Sequence, residues 1–235
     1  MSETADVARL RVSRRRIAIA SDGSVTGDEA PDQLGAALRY ACRMAGQVQP
    51  LLDIGPLQWL TTLGGTALTA RVGGAEGEMT VLAEVEEREI RDPVPVPEAA
   101  GGAATAVRQA LQHVRDDLDA DWCAVMTWDQ RVVGAMLPEW SRRGSVDVRA
   151  VLPDVGLRLL AVLASLDETY RDTAIVLEYR AGSLLLVAVE GDVLFAFADK
   201  FDTAIAVPVI DEVRSQLAPH DLDLVWTWGE SWTRQ

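Results

Sequence analysis

The side chains best suited to catalysis are few in this 235-residue chain and form no recognisable motif. It contains two histidines, His113 and His220, and two cysteines, Cys42 and Cys123. Metal clusters and Ser–His or Cys–His pairs therefore have few members to draw on. No glycine-rich loop ends in Gly-Lys-Ser/Thr, and neither a dinucleotide fingerprint nor a Gly-x-Ser-x-Gly elbow occurs. The sequence predicts no catalytic residue, no metal ligand and no cofactor.

Two acidic runs and one histidine could carry chemistry, but each fits an ordinary structural role better. Residues 116–121 resemble a calcium loop but lack its central glycine and final glutamate. Residues 84–89 alternate along a strand end, with no apolar pocket to separate their pKa values. We interpret both runs as solvated. His113, next to apolar Val114, is interpreted as a boundary residue of a helix.

The charge balance excludes two classes of partner. The net charge is −14, with 10 basic against 14 acidic side chains in residues 1–92 and 12 against 22 in residues 93–235. Such a field repels phosphate backbones and anionic lipid surfaces, so we expect no nucleic acid and no membrane partner.

The cysteines and the apolar segments indicate a cytoplasmic protein. Cys42 and Cys123 each lie in an apolar stretch, which predicts two buried, reduced thiols. The first residues have no basic region leading into an apolar core, so no signal peptide is evident. The longest apolar stretch, residues 148–166, is interrupted by charged residues and proline, which excludes a membrane span.

The second half of the chain has the clearer pattern of elements. Apolar residues at helical spacing predict helices, and short apolar runs bounded by turn residues predict strands, in the order α-β-β-α-β-β-β-α. Residues 184–189 are apolar without alternation, which is typical of a central strand covered on both faces. The pattern predicts an antiparallel five-stranded sheet sandwiched by helices, an α/β (α+β) fold. The predicted helices are 104–119, 149–169 and 202–218, and the predicted strands are 122–128, 131–137, 174–180, 183–190 and 193–199.

The first half repeats part of this order, and a linker separates the two. Three alternating prolines followed by small residues predict an extended linker at 93–104. We therefore predict a shortened α/β domain at 1–92 and a complete one at 105–235 with a Trp-rich C-terminal tail. The first domain has the order β-β-α-β-β-β and lacks the flanking helices, so something else must cover one face of its sheet. Its predicted elements are strands 16–20, 57–63, 66–72 and 78–86, a short second strand, and one helix from Asp32 to Leu51.

The second half resembles the roadblock/dynein-light-chain family, relatives of the longin and profilin-like folds. The resemblance is carried by the helix leading into Trp122-Cys-Ala-Val-Met-Thr-Trp128, by the strands from Ile175 to Val189, and by Gly191-Asp-Val-Leu-Phe-Ala-Phe197. The first half is similar to a shortened, divergent copy. The resemblance implies a dimerising module whose units join edge to edge into one long sheet, with their middle helices side by side. It also implies a role as scaffold or activator of a small Ras-like GTPase. The tandem copy makes an intramolecular pseudo-dimer an alternative to a homodimer.

Candidate partner contacts lie in three segments. Loop 138–148 is longer and more charged than the family pattern and contains Arg142 and Arg143. In the C-terminal tail, apolar residues alternate as in a strand, and tryptophan is common at binding hot spots. The tail either folds over the sheet of the first half or binds another chain by strand addition. The arginines of residues 9–16 either guard a strand edge or dock on an acidic surface. The tail tryptophans are Trp226, Trp228 and Trp232.

The sequence thus predicts a non-enzymatic protein-binding module that regulates or scaffolds a small GTPase. Two alternatives stay open. One is a dimer similar to secretion chaperones, which are also small and acidic and hold an extended client protein. The other is an enzyme with an unrecognised site, which a pocket with strongly perturbed carboxylates would support.

Overall fold

The apolar runs of both halves form the strands of a single antiparallel sheet, seen in a computed structural model. The structure describes residues 14–20, 24–27, 32–63, 66–73, 80–87, 101–137, 142–143, 146–167 and 174–225. The strands are β1 (Arg14–Ile19), β2 (Val25–Gly27), β3 (Leu57–Leu63), β4 (Thr66–Gly73), β5 (Thr80–Glu87), β6 (Trp122–Met126), β7 (Val132–Met136), β8 (Arg142–Arg143), β9 (Val146–Asp147), β10 (Ala174–Tyr179), β11 (Gly182–Val189) and β12 (Asp192–Ala198).

Ten of these strands follow the order β2-β1-β5-β4-β3-β10-β11-β12-β6-β7, and β8 pairs with β9 separately. The helices are α1 (Asp32–Gly46), α2 (Gln49–Leu52), α3 (Ala103–Asp117), α4 (Val148–Asp167), α5 (Thr203–Leu217) and a 3-10 helix at Leu222–Leu224. The predicted α/β class is confirmed. Among the described helices, none combines the length and apolarity needed to cross a lipid bilayer.

Two local predictions differ from the structure. The single helix predicted from Asp32 is divided into α1 and α2, because Gly46 favours a break and Pro50 cannot donate the hydrogen bond that would continue α1. Loop 138–148 contains the small β8–β9 pair.

Two apolar cores lie on opposite faces of the sheet. Helices α1 and α4 pack side by side on one face, over a core that spans both halves and contains Leu38, Leu60, Leu159 and Leu177. Helices α3 and α5 pack on the other face, over the strands of the second half. Strand β11 lies between these layers and is buried on both sides, as its continuous apolar run predicted.

The first half is covered differently. On the side of β3 and β4 that faces away from α1, the described residue that joins the core beneath α3 and α5 is Leu63, at the end of β3. Trp59 lies on that side, partly exposed, with the Arg71 guanidinium carbon 5.6 Å from its ring centroid. A cation over an aromatic face stabilises such a half-exposed ring. Within the described ranges, the predicted two-sided helical cover is therefore observed over the second half, and it reaches the first half at Leu63.

The two halves meet where β3 pairs with β10 in antiparallel register. Leu60 lies opposite Leu177, Thr61 opposite Val176, and Ala174 opposite Leu63. Backbone amides of Arg180 and Ala181 add hydrogen bonds to the carbonyls of Pro56 and Ile54, at 3.1 and 3.0 Å. Because Leu60 and Leu177 are fully buried, this pairing belongs to the core and is not a surface contact.

Tyr179 ties the second half to the first through its side chain. Its hydroxyl donates to the Ala45 carbonyl of α1 at 2.8 Å, and the ring is buried. The same carbonyl also accepts from the Val48 amide at 3.1 Å. Burial raises the pKa of this tyrosine, so the hydroxyl keeps its proton and acts as a donor.

We expect Tyr179→Phe to lower the free energy of unfolding by about 1 kcal/mol, near the low end for a buried hydrogen bond, because Val48 still satisfies the Ala45 carbonyl. Urea denaturation followed by circular dichroism measures this change. Tyr40→Phe is the matched control, because Tyr40 is exposed on α1. Equal destabilisation by both substitutions would contradict the inferred role of Tyr179.

Candidate protein-binding surfaces

The residues proposed from sequence as partner contacts lie at the margins of the described structure. Arg142 and Arg143 form β8, for which the structure describes the backbone only, opposite Asp147 and Val146 of β9. Trp226, Trp228 and Trp232 lie outside the described residues. Leu222, predicted as part of a strand-like tail, begins the 3-10 helix instead. The carboxylate of Asp221 accepts from the Asp223 amide at 3.0 Å, which favours a turn.

A first candidate surface is the outward side of helices α1 and α4, here called the helix-pair surface. Apolar residues of both helices face the sheet, which leaves Arg39, Tyr40, Arg43 and Arg149 exposed. Arg158 is half-buried and pairs with Asp154, with Nη1 at 3.5 Å from Oδ1. The described charged side chains of these two helices are thus four arginines and one aspartate. This surface is basic in a protein whose net charge is −14.

A second candidate surface, here called the acidic corner, forms where two hairpin turns meet the 3-10 helix. Its charged residues are Asp129, Arg131, Asp192, Asp221 and Asp223. Arg131 binds Asp129 through Nε at 2.7 Å and Asp223 through Nη2 at 3.2 Å. The Thr127 hydroxyl also donates to Asp129. These bonds join the β6–β7 turn to the 3-10 helix.

Trp128 projects from the acidic corner and is held at two points. Its backbone amide donates to Asp192 Oδ1 at 2.9 Å, and its indole Nε1 donates to Asp223 Oδ2 at 3.4 Å. The side chain is nevertheless 68% exposed. An exposed tryptophan with fixed orientation loses little conformational entropy when a partner covers it.

The carboxylates of this corner differ in their environments. Partial burial, with smaller contributions from Asp223, Asp129 and Asp221, raises the pKa of Asp192 from 3.8 to about 6, against the opposing hydrogen bond from Trp128. Hydrogen bonds from Thr127 and then Arg131 lower the pKa of Asp129. Arg131 is the described cation of this corner, and it pairs with Asp129 and Asp223. Among the described residues, Asp192 therefore has no ion pair.

An apolar groove of about 380 Å³ lies between the acidic corner and the C-terminal half of α4. Its walls contain Leu157, Leu160 and Leu163 of α4, with Ile175 behind them and Trp128 and Asp192 at the rim. Leu157 is 39% exposed. The groove thus combines apolar walls with a single rim carboxylate.

The remaining reactive side chains occupy structural positions. Cys42 and Cys123 are buried free thiols, as predicted, and burial raises the pKa of each to about 12. They are therefore protonated and weakly nucleophilic at neutral pH. His113 joins α3 to α5, with Nδ1 at 2.9 Å from Asp117 and Nε2 at 3.0 Å from Glu212. Within the described ranges, no group of three or more His, Cys, Asp or Glu side chains could hold a metal ion.

Sequence reasoning missed the acidic corner and its groove. Asp129, Gln130 and Asp192 read as ordinary turn residues, and Trp128 as the end of a strand. One usable signal was a tryptophan directly before a predicted turn, where burial is uncommon. The meeting of two turns 64 residues apart in sequence follows only from the β12–β6 pairing.

Comparison with known proteins finds similarity to solved structures. No protein-family description matches the chain, and no curated protein matches it. A solved structure described as MglB with a tetrameric arrangement is similar, with 15% identity and a TM-score of 0.34 over 55% of this chain and 96% of that chain. The fold assignment rests on the strand order and helix placement given above.

We expect Asp192→Asn to stabilise the protein at pH 7.5 by on the order of 1 kcal/mol, a value discounted for solvent screening of this half-exposed group. Because its folded pKa is raised, ionised Asp192 lowers stability progressively as pH rises from about 4 to about 6. Asparagine keeps the acceptor for Trp128. Thermal unfolding at pH 4 and pH 7.5 should show the gain at the higher pH only.

Asp211→Asn on α5 removes the same charge away from the corner and serves as the control. A gain of equal size at both pH values for Asp192→Asn would contradict the assigned environment of Asp192.

Proposed function

We propose that this protein is a cytoplasmic, non-enzymatic binding module built from two roadblock-like units in one chain, which regulates or scaffolds a small Ras-like GTPase. The observation that carries the proposal is the junction of the two halves through β3 and β10, with α1 and α4 side by side. This is the arrangement that the roadblock resemblance implies for two joined units.

The strand order supports a duplication. Numbered within each half, the strands lie in the order 2-1-5-4-3 in both, and the two third strands pair at the centre. Helix α1 follows the second strand of the first half, and α4 follows the second strand of the main sheet in the second half, after the short β8–β9 pair. The two central helices therefore occupy corresponding positions. We infer an intramolecular pseudo-dimer.

The helix-pair surface is the binding surface that we propose for the GTPase. It is formed jointly by both halves, so it exists only when β3 and β10 are paired. Its arginines would attract a partner with an acidic patch, and Tyr40 offers an amphipathic ring of the kind enriched at interfaces. The absence of a recognised catalytic motif supports a binding role over an enzymatic one.

The secretion-chaperone alternative has one supporting observation. Trp59 is 36% exposed on the side of β3 and β4 that faces away from α1, with Arg71 over its ring, and an extended client could lie there. Binding of an unfolded segment at this face, without binding of a folded GTPase, would favour the alternative.

We expect the full chain to bind a Ras-sized GTPase of its native host with different affinities for the GDP and GTP-analogue states. Arg39→Glu with Arg43→Glu should weaken this binding at least tenfold, because two attractive charges become repulsive. Calorimetry measures the affinity, and a parallel hydrolysis assay shows whether the partner is stimulated. Arg108→Glu with Arg115→Glu on α3 is the matched control, because it makes the same charge change on the opposite face.

Equal affinities of both double variants, or no binding in either nucleotide state, would contradict the proposal.

We also expect the protein to be a monomer of 25.5 kDa at micromolar concentration, because the two edges that would join two units are already paired within the chain. Light scattering coupled to size exclusion measures the mass. A concentration-independent mass of twice that value would show that the chain forms a homodimer as well.

A further inference from the structure

The groove beside the acidic corner has features of a binding site that the helix-pair surface does not explain. It adjoins the helix-pair surface at Leu157, next to Arg158, and extends along the last turns of α4 toward the acidic corner. Its apolar walls and its volume of about 380 Å³ fit one or two apolar side chains.

Exposed apolar side chains mark the rim of this groove. Trp128 is 68% exposed and Leu157 is 39% exposed, and both line the same depression. Two hydrogen bonds, to Asp192 and to Asp223, fix Trp128 in its exposed orientation. A rigid aromatic anchor beside an apolar pocket is typical of binding hot spots.

The negative charge at the rim of the groove determines which charge a bound partner segment must carry. Asp129, Asp221 and Asp223 lie near Asp192, and the single described cation among them, Arg131, pairs with Asp129 and Asp223. Asp192 accepts from the Trp128 amide and retains acceptor capacity for a further donor. Acidic ligands are repelled here, whereas an ammonium or guanidinium group is attracted.

We infer that this groove binds a segment of a partner protein in which apolar side chains insert beside Trp128 and Leu157 while a neighbouring lysine or arginine pairs with Asp192. This site adjoins the surface proposed for the GTPase at Leu157, but Trp128 and Asp192 lie outside that surface, so the inference stands whether or not that proposal holds.

The test uses the full-length protein and three fluorescein-labelled peptides of equal length. The first is an amphipathic helix with leucines on one face and arginines beside them, the second has glutamates in place of the arginines, and the third has serines in place of the leucines. Fluorescence anisotropy measures binding. We expect the first peptide to bind at least tenfold more tightly than either of the others.

Substitutions then locate the site. Trp128→Ala and Leu157→Asp should each weaken the first peptide at least tenfold, and Asp192→Asn should remove the preference for arginine over glutamate. Ile205→Asp is the control, because Ile205 is 52% exposed on α5, on the other face of the sheet. Both apolar targets are exposed, so the variants are expected to fold, and circular dichroism verifies this.

Four results would overturn the inference. The first is that the three peptides bind equally or not at all, and the second is that the control substitution weakens binding as much as Leu157→Asp does. The third is that the first peptide binds only when Trp226, Trp228 and Trp232 are replaced by serine in the full chain, which would assign the groove to the chain's own tail. The fourth is that Trp128→Ala abolishes a self-association of the protein, which would assign the groove to a second copy. Binding of the GTPase should be unchanged by Trp128→Ala, which separates failure of this inference from failure of the proposed function.

Discussion

The pairing of β3 with β10 is the interaction on which the rest of the structure depends. It converts two five-stranded sheets into one and buries Leu60 and Leu177 at the centre of a core shared by both halves. Helices α1 and α4 pack against each other only because their strands are joined beneath them. Loss of this pairing would expose two strand edges with unpaired backbone groups, together with the apolar residues on them.

The single chain makes this pairing independent of protein concentration. Two separate units would have to find each other in solution, whereas here both strands belong to one chain, which raises the effective concentration of the second edge. The Tyr179 hydroxyl and the backbone bonds at residues 54–56 and 180–181 then fix how the halves meet. Among the described side chains, the paired helices α1 and α4 carry four arginines and one aspartate, in a chain whose net charge is −14.

Periodic sequence features predicted the elements of this fold well. The bounds of β3 agree fully, and the unbroken apolar run of β11 identified a strand covered on both faces. Prediction failed where short-range hydrogen bonding competed with periodicity. The Asp221 side chain accepts a backbone hydrogen bond that favours a 3-10 helix where the tail was predicted to be strand-like. Gly46 and Pro50 break the helix predicted from Asp32 into α1 and α2. The groove was beyond sequence reasoning, because Trp128 and Asp192 meet only through strand pairing distant in the chain.

The unequal sequences of α1 and α4 have a consequence for stoichiometry. A dimer of identical units presents its central helices with exact two-fold symmetry, so an asymmetric ligand can dock in two equivalent poses. Here Arg39 and Tyr40 lie on one helix, and Arg149 and Pro153 lie on the other. The two binding poses are therefore no longer equivalent. A ligand that spans both helices binds in one orientation, with one ligand per chain.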